Sequence, residues 1–309
     1  MGEESQGALE RLELSRWAQE LALPRDVVKA LCRVHVPLAE WLGARQRALG
    51  RPLVVGVNGA QGTGKSTLLW LMARLLPELH GLRAAGLSID DLYRTAAERA
   101  ELAARVHPLL RTRGVPGTHD LALGEQVLDA LTTGPARSVV LPRFDKATDD
   151  RAAPERWPQV RAPVDIVILE GWCVGAAPQE DAELAAPCNA LEREEDPRGD
   201  WRHHVNGQLR GPYAGFFARL DALVMLQAPD MDCVLRWRLE QERALARALA
   251  RAVRATRPMV EAEVARFVQH FERLTRAMLK EMPSRADVVI EIDAEHGLKA
   301  ARYRDGGAR

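Results

Sequence analysis

A glycine-rich segment at residues 59–66 constrains the fold of this chain more than any other feature. It matches the phosphate-binding pattern G-x-x-x-x-G-K-[ST]. The apolar run Leu53–Val57 precedes this segment, and a helical pattern containing Leu68, Leu71 and Met72 follows it. A buried strand, a glycine-rich loop and a helix in this order predict the first unit of a parallel α/β domain.

The chemistry of this loop comes from its backbone. Successive N–H groups of such a loop form a concave nest for phosphate oxygens, and the following helix adds the positive end of its dipole. We expect Lys65 to reach the β- and γ-phosphates of a nucleotide and the Ser66 hydroxyl to ligate Mg²⁺. The residues predicted to bind ATP are Gly59, Ala60, Gln61, Gly62, Thr63, Gly64, Lys65, Ser66 and Thr67.

Acidic residues follow two further apolar runs. Asp90 and Asp91 come after the run 85–89, and Glu170 comes after the run 164–169. The carboxyl ends of strands in an open parallel sheet face the ligand crevice. One of the two aspartates is predicted to accept a proton from an attacking hydroxyl, with Asp90 favoured and helix capping the alternative role. Glu170 occupies the position from which a carboxylate holds Mg²⁺.

Charged residues in three other segments are candidates for contact with substrate. Asp120 closes a polar loop at 113–120, where capping of the next helix is the alternative. The segment 143–151 carries Arg143, Lys146 and Arg151, which suit an anionic substrate, although a solvated charged loop is the alternative. Arg236 and Arg238 begin an arginine-rich helical stretch that is either a mobile basic lid or an ordinary charged helix face.

The remaining pattern sets the expected organisation. Residues 1–49 are predicted to form a helical segment and residues 50–309 an α/β domain with three layers around a parallel sheet. Further strand-like runs lie at 138–141, 222–226 and 288–292. An irregular insert is expected at about 174–216, and its Trp201 and Tyr213 favour an ordered insert over a disordered loop.

Composition excludes several classes of function. Lys and Arg number 43 and Asp and Glu number 43, so the chain lacks the basic excess typical of a general nucleic-acid binder. No apolar run approaches the roughly 18 residues that would span a membrane. The four cysteines lack metal-like spacing, and the acidic N-terminus lacks an apolar signal core. We therefore expect a cytoplasmic protein without a nucleic-acid or membrane partner.

Six segments, in order, resemble the D-glycerate 3-kinase-like group within the phosphoribulokinase/uridine kinase class of P-loop kinases. They are VNGAQGTGKST, LSIDDLY, RGVPGTHDL, LPRFDKATDDRA, ILEGW and VLRWRLEQE, and they fall between about residue 50 and residue 293. The loop motif is shared by many proteins, whereas the RFDK and EGW segments are much more specific.

The resemblance implies a role for each matching residue. Lys65 and Ser66 would hold ATP and Mg²⁺, Asp90 would be the catalytic base, and Glu170 would lie near the metal. Arg236 and Arg238 would belong to a lid, Arg236 acting in catalysis and Arg238 on the nucleotide. The residues on the substrate side would be Asp91, His119, Asp120, Arg143, Asp145 and Lys146.

These expectations combine into one hypothesis: transfer of the ATP γ-phosphoryl group to a hydroxyl of a small anionic molecule. D-glycerate, which would give 3-phosphoglycerate, is the preferred acceptor. A kinase of the same fold acting on a nucleoside, pantothenate or another polyol is one alternative, although the 5% aromatic content favours a small polar acceptor. A regulatory ATPase without an acceptor is the other, and it gives no reason for the charged cluster at 143–151.

Overall fold

A mostly parallel six-stranded sheet forms the centre of the computed structural model, which describes residues 30–252 and 259–304. The strand order is β10-β9-β8-β1-β7-β2, and only β10 runs antiparallel to its neighbour. The strands are β1 Leu53–Gly59, β2 Ala84–Ser88, β7 Ile166–Gly171, β8 Ala222–Gln227, β9 Val288–Ile292 and β10 Leu298–Tyr303.

The register of three strands fixes where the site forms. Strand β7 lies between β1 and β2, and Glu170 pairs with Val57 on one side and Ser88 on the other. All three strands run parallel, so their carboxyl ends reach the same edge of the sheet. Every residue of β1 and β7 is buried, as expected of strands covered on both faces.

Helices cover both faces of the sheet and give three layers. Alternate residues of β1 contribute to two separate cores: Val54 packs into one, and Leu53, Val55 and Val57 pack into the other. The helices are α1 Val36–Leu49, α2 Lys65–His80, α3 Ala96–Arg105, α4 Leu121–Thr132, α5 Asp181–Leu184, α6 Ala190–Glu195, α7 Asp200–Arg210, α8 Pro212–Phe217, α9 Met231–Ala252 and α10 Glu261–Glu281.

The strand-like run at 138–141 does not enter the central sheet. It forms β3, Arg137–Val140, which pairs with β6, Gln159–Ala162, in a separate two-stranded sheet. Two shorter strands between them, β4 Phe144–Asp145 and β5 Asp150–Arg151, form a second small pair. A short apolar run has the same pattern in a central sheet and in a separate strand pair, so periodicity alone cannot predict which of the two it joins.

The segment 174–216 carries the short helices α5 to α8. Trp201 and Tyr213, which favoured an ordered insert, are both buried. Two buried ion pairs hold this segment: Arg202 binds Asp196 at 3.0 Å, and Arg273 of α10 binds Glu192 at 2.6 Å. Buried pairs with several hydrogen bonds require a defined geometry, so the segment packs as part of the domain.

The predicted helical segment at 1–49 is covered only in part. Its first 29 residues lie outside the described residues, and α1 falls in the remainder. In the described ranges, no helix combines the length and apolar character needed to cross a membrane.

Removing one partner of the Glu192–Arg273 pair should destabilise the fold strongly. Glu192 is fully buried and Arg273 donates to both of its oxygens, so Arg273→Met leaves an uncompensated buried charge. We expect a loss of about 3–5 kcal/mol of unfolding free energy, measured by urea denaturation. The control is Arg266→Met on the same helix, whose pair with Glu195 is half exposed and should contribute less than about 1 kcal/mol. Equal losses for the two variants would contradict this prediction.

Candidate active site

The loop between β1 and α2 has the curled backbone that the motif predicts. Gly62 and Gly64 have φ values of +86° and +87°, in the left-handed region that favours glycine. Gly64 is also the N-cap of α2, so the first turn of that helix begins directly at the loop. The Thr63 hydroxyl donates to the Ala60 carbonyl at 2.8 Å and braces the turn.

Helix α9 packs tightly against this loop through Trp237. A Cβ atom placed on Gly62 would lie only 2.7 Å from the Trp237 Cβ. Trp237 is fully buried, and its indole N–H donates to the Ala294 carbonyl at 3.2 Å. Helix α9 therefore lies directly against the loop at Gly62.

Lys65 lies folded over the loop that precedes it. Its ammonium group donates to the carbonyls of Gly59 and Ala60, at 2.7 and 3.0 Å. Burial lowers the pKa of Lys65, while the negative charges of Glu170 and Asp90 act in the opposite direction. Ser66 and Thr67 are exposed residues in the first turn of α2.

Glu170, the penultimate residue of β7, is buried beside Ser88. Burial raises the pKa of Glu170, and the charge of Lys65 with a hydrogen bond to Ser88 offsets part of that rise. Among the described residues, no group of three or more His, Cys, Asp or Glu side chains could form a complete metal site. One carboxylate and the Ser66 hydroxyl instead match the way Mg²⁺ binds, with few protein oxygens and the rest from phosphates and water.

Asp90 lies at the end of β2 with both carboxylate oxygens bonded. Tyr93 donates its hydroxyl to Oδ1 at 2.9 Å, and Lys146 donates to Oδ2 at 2.7 Å. Burial alone would raise the pKa of Asp90, but the charge and hydrogen bond of Lys146, together with the Tyr93 hydroxyl, outweigh burial and lower it. The carboxylate is therefore ionised near neutral pH, as a proton acceptor must be.

Asp91 points away from Asp90 and holds a neighbouring segment. It accepts hydrogen bonds from the Arg143 guanidinium at 2.6 Å and from the Phe144 backbone N–H at 3.0 Å. Burial raises the pKa of Asp91 despite these two partners. Asp91 thus binds the segment that begins β4, whereas the two partners of Asp90 are the side chains of Tyr93 and Lys146. The choice of Asp90 over Asp91 as the base stays a prediction.

Strands β4 and β5 and the turn between them, residues 144–151, form a hairpin that carries Lys146. Asp149, in the turn of this hairpin, anchors it through ion pairs with Arg99, at 2.6 Å, and with Arg113. Sequence reasoning missed this anchor, because Arg99 is an ordinary helix residue in the sequence and becomes buried only through the fold. Lys146 lies in the same turn, where it binds Asp90 while 63% of its side chain is exposed.

An open groove of about 670 Å³ runs along this hairpin. Its charged lining residues are Arg143, Asp145, Lys146 and Arg156. Arg156, which the sequence did not single out, pairs with Asp145 at 2.8 Å and lowers the pKa of that carboxyl. Three of these four lining residues are cations, and each is paired with an aspartate in this structure. A small anionic ligand could bind here by replacing one of those aspartates.

His119 and Asp120 lie in the loop before α4. Asp120 caps that helix by accepting the Leu123 N–H at 3.0 Å, and its other oxygen accepts from Arg151 at 3.1 Å. The capping alternative thus describes Asp120 well. His119 is buried against Tyr93, and burial lowers its pKa to about 3, so the imidazole is neutral.

Arg236 and Arg238, both on α9, bind different parts of the protein. Arg236 donates to the Ala294 carbonyl at 2.9 Å, next to the bond made by Trp237. Arg238 pairs with Glu242 one turn further along, at 2.9 Å. In this arrangement both guanidinium groups bind neighbouring protein groups, and their lid role stays a prediction.

Several known proteins are similar to the chain, although no family model matches it. It is 33% identical over 243 residues to the uncharacterized kinase mug58 of Schizosaccharomyces pombe, covering 76% of this chain and 83% of the relative. It is also 33% identical over 202 residues to the chloroplastic D-glycerate 3-kinase of Arabidopsis thaliana, covering 63% of this chain and 42% of that protein.

A solved structure agrees with these sequence relatives. The D-glycerate 3-kinase from Cryptococcus neoformans superposes with a TM-score of 0.70 at 28% identity, covering 87% of this chain and 97% of that one. These similarities indicate the same family as the order of the sequence motifs does. The phosphate-binding loop at the carboxyl end of β1 is also consistent with that family. The chain therefore belongs to the D-glycerate 3-kinase-like family of P-loop kinases.

Proposed function

We propose that this chain is an ATP-dependent D-glycerate 3-kinase whose catalytic base is Asp90. The observation that carries the proposal is the Asp90–Lys146 pair. It places an ionised carboxylate at the carboxyl edge of the sheet and in direct contact with a basic groove. The similarity to proteins named D-glycerate 3-kinase supports the identity of the acceptor.

The nucleotide end of the site consists of the loop 59–67. Its backbone N–H groups would cradle the phosphates, and Lys65 would leave the Gly59 and Ala60 carbonyls to reach the γ-phosphate. Ser66 and Glu170 are the residues that would hold Mg²⁺, which when bound neutralises charge on the phosphate oxygens. In this proposal Arg236 and Arg238 contribute only after they leave their present partners, the Ala294 carbonyl and Glu242.

The acceptor end of the site is the groove beside the hairpin. Each groove cation already has a carboxylate partner: Arg143 binds Asp91, Lys146 binds Asp90 and Arg156 binds Asp145. Lys146 is the cation that a substrate carboxylate can best recruit, because its exposed side chain sits at a hairpin tip. Its departure would free Oδ2 of Asp90 for the acceptor hydroxyl.

The transfer then needs little covalent chemistry from the protein. The acceptor O–H bond breaks as its proton passes to Asp90 Oδ2, and the acceptor oxygen bonds to the γ-phosphorus. The bond from that phosphorus to the β–γ bridging oxygen breaks, and ADP leaves with the bonding electrons. Positioning and electrostatic stabilisation account for most of the rate in such a site.

The acceptor specificity gives the first prediction. ADP release from Mg²⁺·ATP should rise with D-glycerate and stay at the no-acceptor level with L-glycerate, uridine or pantothenate. The product should be 3-phosphoglycerate by ³¹P NMR. Asp90→Asn should lower turnover about 10²- to 10⁴-fold while ATP still binds, because only the proton acceptor is lost. Asp129→Asn, a surface carboxylate on α4, is the matched control and should keep full activity.

Two results would contradict the assignment. Stimulation by uridine or pantothenate in place of D-glycerate would indicate a kinase for another acceptor. ATP hydrolysis that no acceptor changes would indicate the regulatory ATPase instead.

The role of Lys146 gives the second prediction. Lys146→Met should raise the KM for D-glycerate about 10- to 100-fold, since a charge-assisted hydrogen bond to the acceptor is worth about 1.5–3 kcal/mol. The KM for ATP should change little. Lys299→Met, an exposed lysine on β10, should change neither constant. A rise in the KM for ATP without one for D-glycerate would place Lys146 on the nucleotide and contradict its role on the acceptor.

A further inference from the structure

The two oxygens of Asp90 have partners of different character. Lys146, on Oδ2, is largely exposed and sits at a hairpin tip. Tyr93, on Oδ1, is 3% exposed and comes only three residues after Asp90 in the chain. Packing holds a buried donor in one orientation, whereas an exposed lysine side chain can adopt many conformations. The Tyr93 bond therefore sets the orientation of the carboxylate, and the Lys146 bond can exchange.

Two rings pack against the buried Tyr93 ring. It stacks on His119 with ring centres 4.6 Å apart, and it meets Phe144 in a T-shaped contact with ring centres 5.2 Å apart. Backbone hydrogen bonds hold the two segments together: the Arg94 N–H donates to Thr118 and the Asp120 N–H donates to Leu92. Tyr93 and His119 thus face each other across an antiparallel bridge.

His119 is held in turn by Tyr213, which lies in α8 near the end of the insert. The Tyr213 oxygen accepts the Gly117 N–H at 3.0 Å and lies 2.6 Å from His119 Nδ1. The buried hydroxyl proton needs an acceptor, and the neutral imidazole provides one at Nδ1. Tyr213 therefore donates to Nδ1, and the imidazole proton is assigned to Nε2.

The insert therefore reaches the base through a continuous set of buried contacts from Tyr213 to His119, Tyr93 and Asp90. The His119 Nε2 atom has no hydrogen-bond partner among the described residues, so Tyr213 supplies the one side-chain bond they give this ring. Without that bond, the ring against which Tyr93 stacks would lose the contact that sets its rotation.

We propose that Tyr93 is a positioning residue that aims the Asp90 carboxylate at the acceptor hydroxyl, and that Tyr213 acts through His119 to keep Tyr93 in place. This inference rests on the proposed function, because it takes Asp90 as the base. It also gives the insert a role that is separate from contact with substrate, because Tyr213 of the insert would help to hold the Asp90 carboxylate in its orientation.

The test compares tyrosine-to-phenylalanine variants that keep the ring and remove one hydroxyl. Tyr93→Phe should lower kcat about 10- to 100-fold, because the carboxylate loses its fixed orientation, and should leave the KM values for ATP and D-glycerate within about twofold. Tyr303→Phe is the matched control, since the Tyr303 hydroxyl on β10 has no partner among the described residues. It should keep the wild-type kcat. An unchanged kcat in Tyr93→Phe would overturn the proposal.

A double variant tests whether Tyr213 acts through Tyr93. Tyr213→Phe should lower kcat less than Tyr93→Phe does, and the double variant should be no slower than Tyr93→Phe alone. Residues in one network show such non-additive effects, whereas independent sites multiply their effects on the rate. Losses that multiply in the double variant would overturn the proposed connection between the insert and the base.

A crystal structure of Tyr93→Phe separates this inference from the proposed function. The Asp90 carboxylate should rotate toward Lys146 once Oδ1 loses its donor, and an unrotated carboxylate would overturn the positioning role whatever the acceptor is. Failure of D-glycerate to stimulate the wild-type protein would instead count against the proposed function alone.

Discussion

The parallel pairing of β7 between β1 and β2 is the constraint on which the rest of the site depends. Neighbouring strands are about 4.8 Å apart, so the ends of β1 and β2 lie roughly 10 Å apart with β7 between them. The phosphate-binding loop follows β1, Asp90 follows β2, and Glu170 lies near the end of β7. That interval suits a nucleotide phosphate on one side and an acceptor on the other. The sheet thus sets the positions, and the loops supply the chemical groups.

The parts of the site that lie at strand ends could be predicted from sequence, since a buried run followed by a polar residue identifies them. Asp90 and Glu170 belong to this class, whereas Lys65 was identified by the loop motif. The anchoring contacts could not be predicted, because their partners are far apart in sequence: Arg99 with Asp149, and His119 with Tyr213. A tyrosine or arginine in such a segment has no local signal that separates it from an ordinary core or surface residue.

The sequence also predicted most strands of the central sheet, but not all of the strand pairing. The apolar runs at β1, β2, β7, β8 and β9 all entered the central sheet, whereas the run at 138–141 formed a separate pair with β6. That small sheet leads into the hairpin that presents Lys146, so an element outside the central sheet delivers the basic groove. Which sheet a short apolar run joins depends on its partner strand in the folded protein, and the spacing of apolar residues does not predict that partner.

The contact between Gly62 and Trp237 restricts how this family member can change over evolutionary time. The nearest atom is the Trp237 Cβ, which every residue except glycine possesses, so a smaller side chain at 237 would leave the obstruction in place. The positive φ of Gly62 adds a second barrier that no change elsewhere removes. A side chain at position 62 would need a displacement of α9 itself, the helix that bears Arg236 and Arg238. Substitution at Gly62 is therefore coupled to the position of a helix that is distant in sequence but packs directly against the loop.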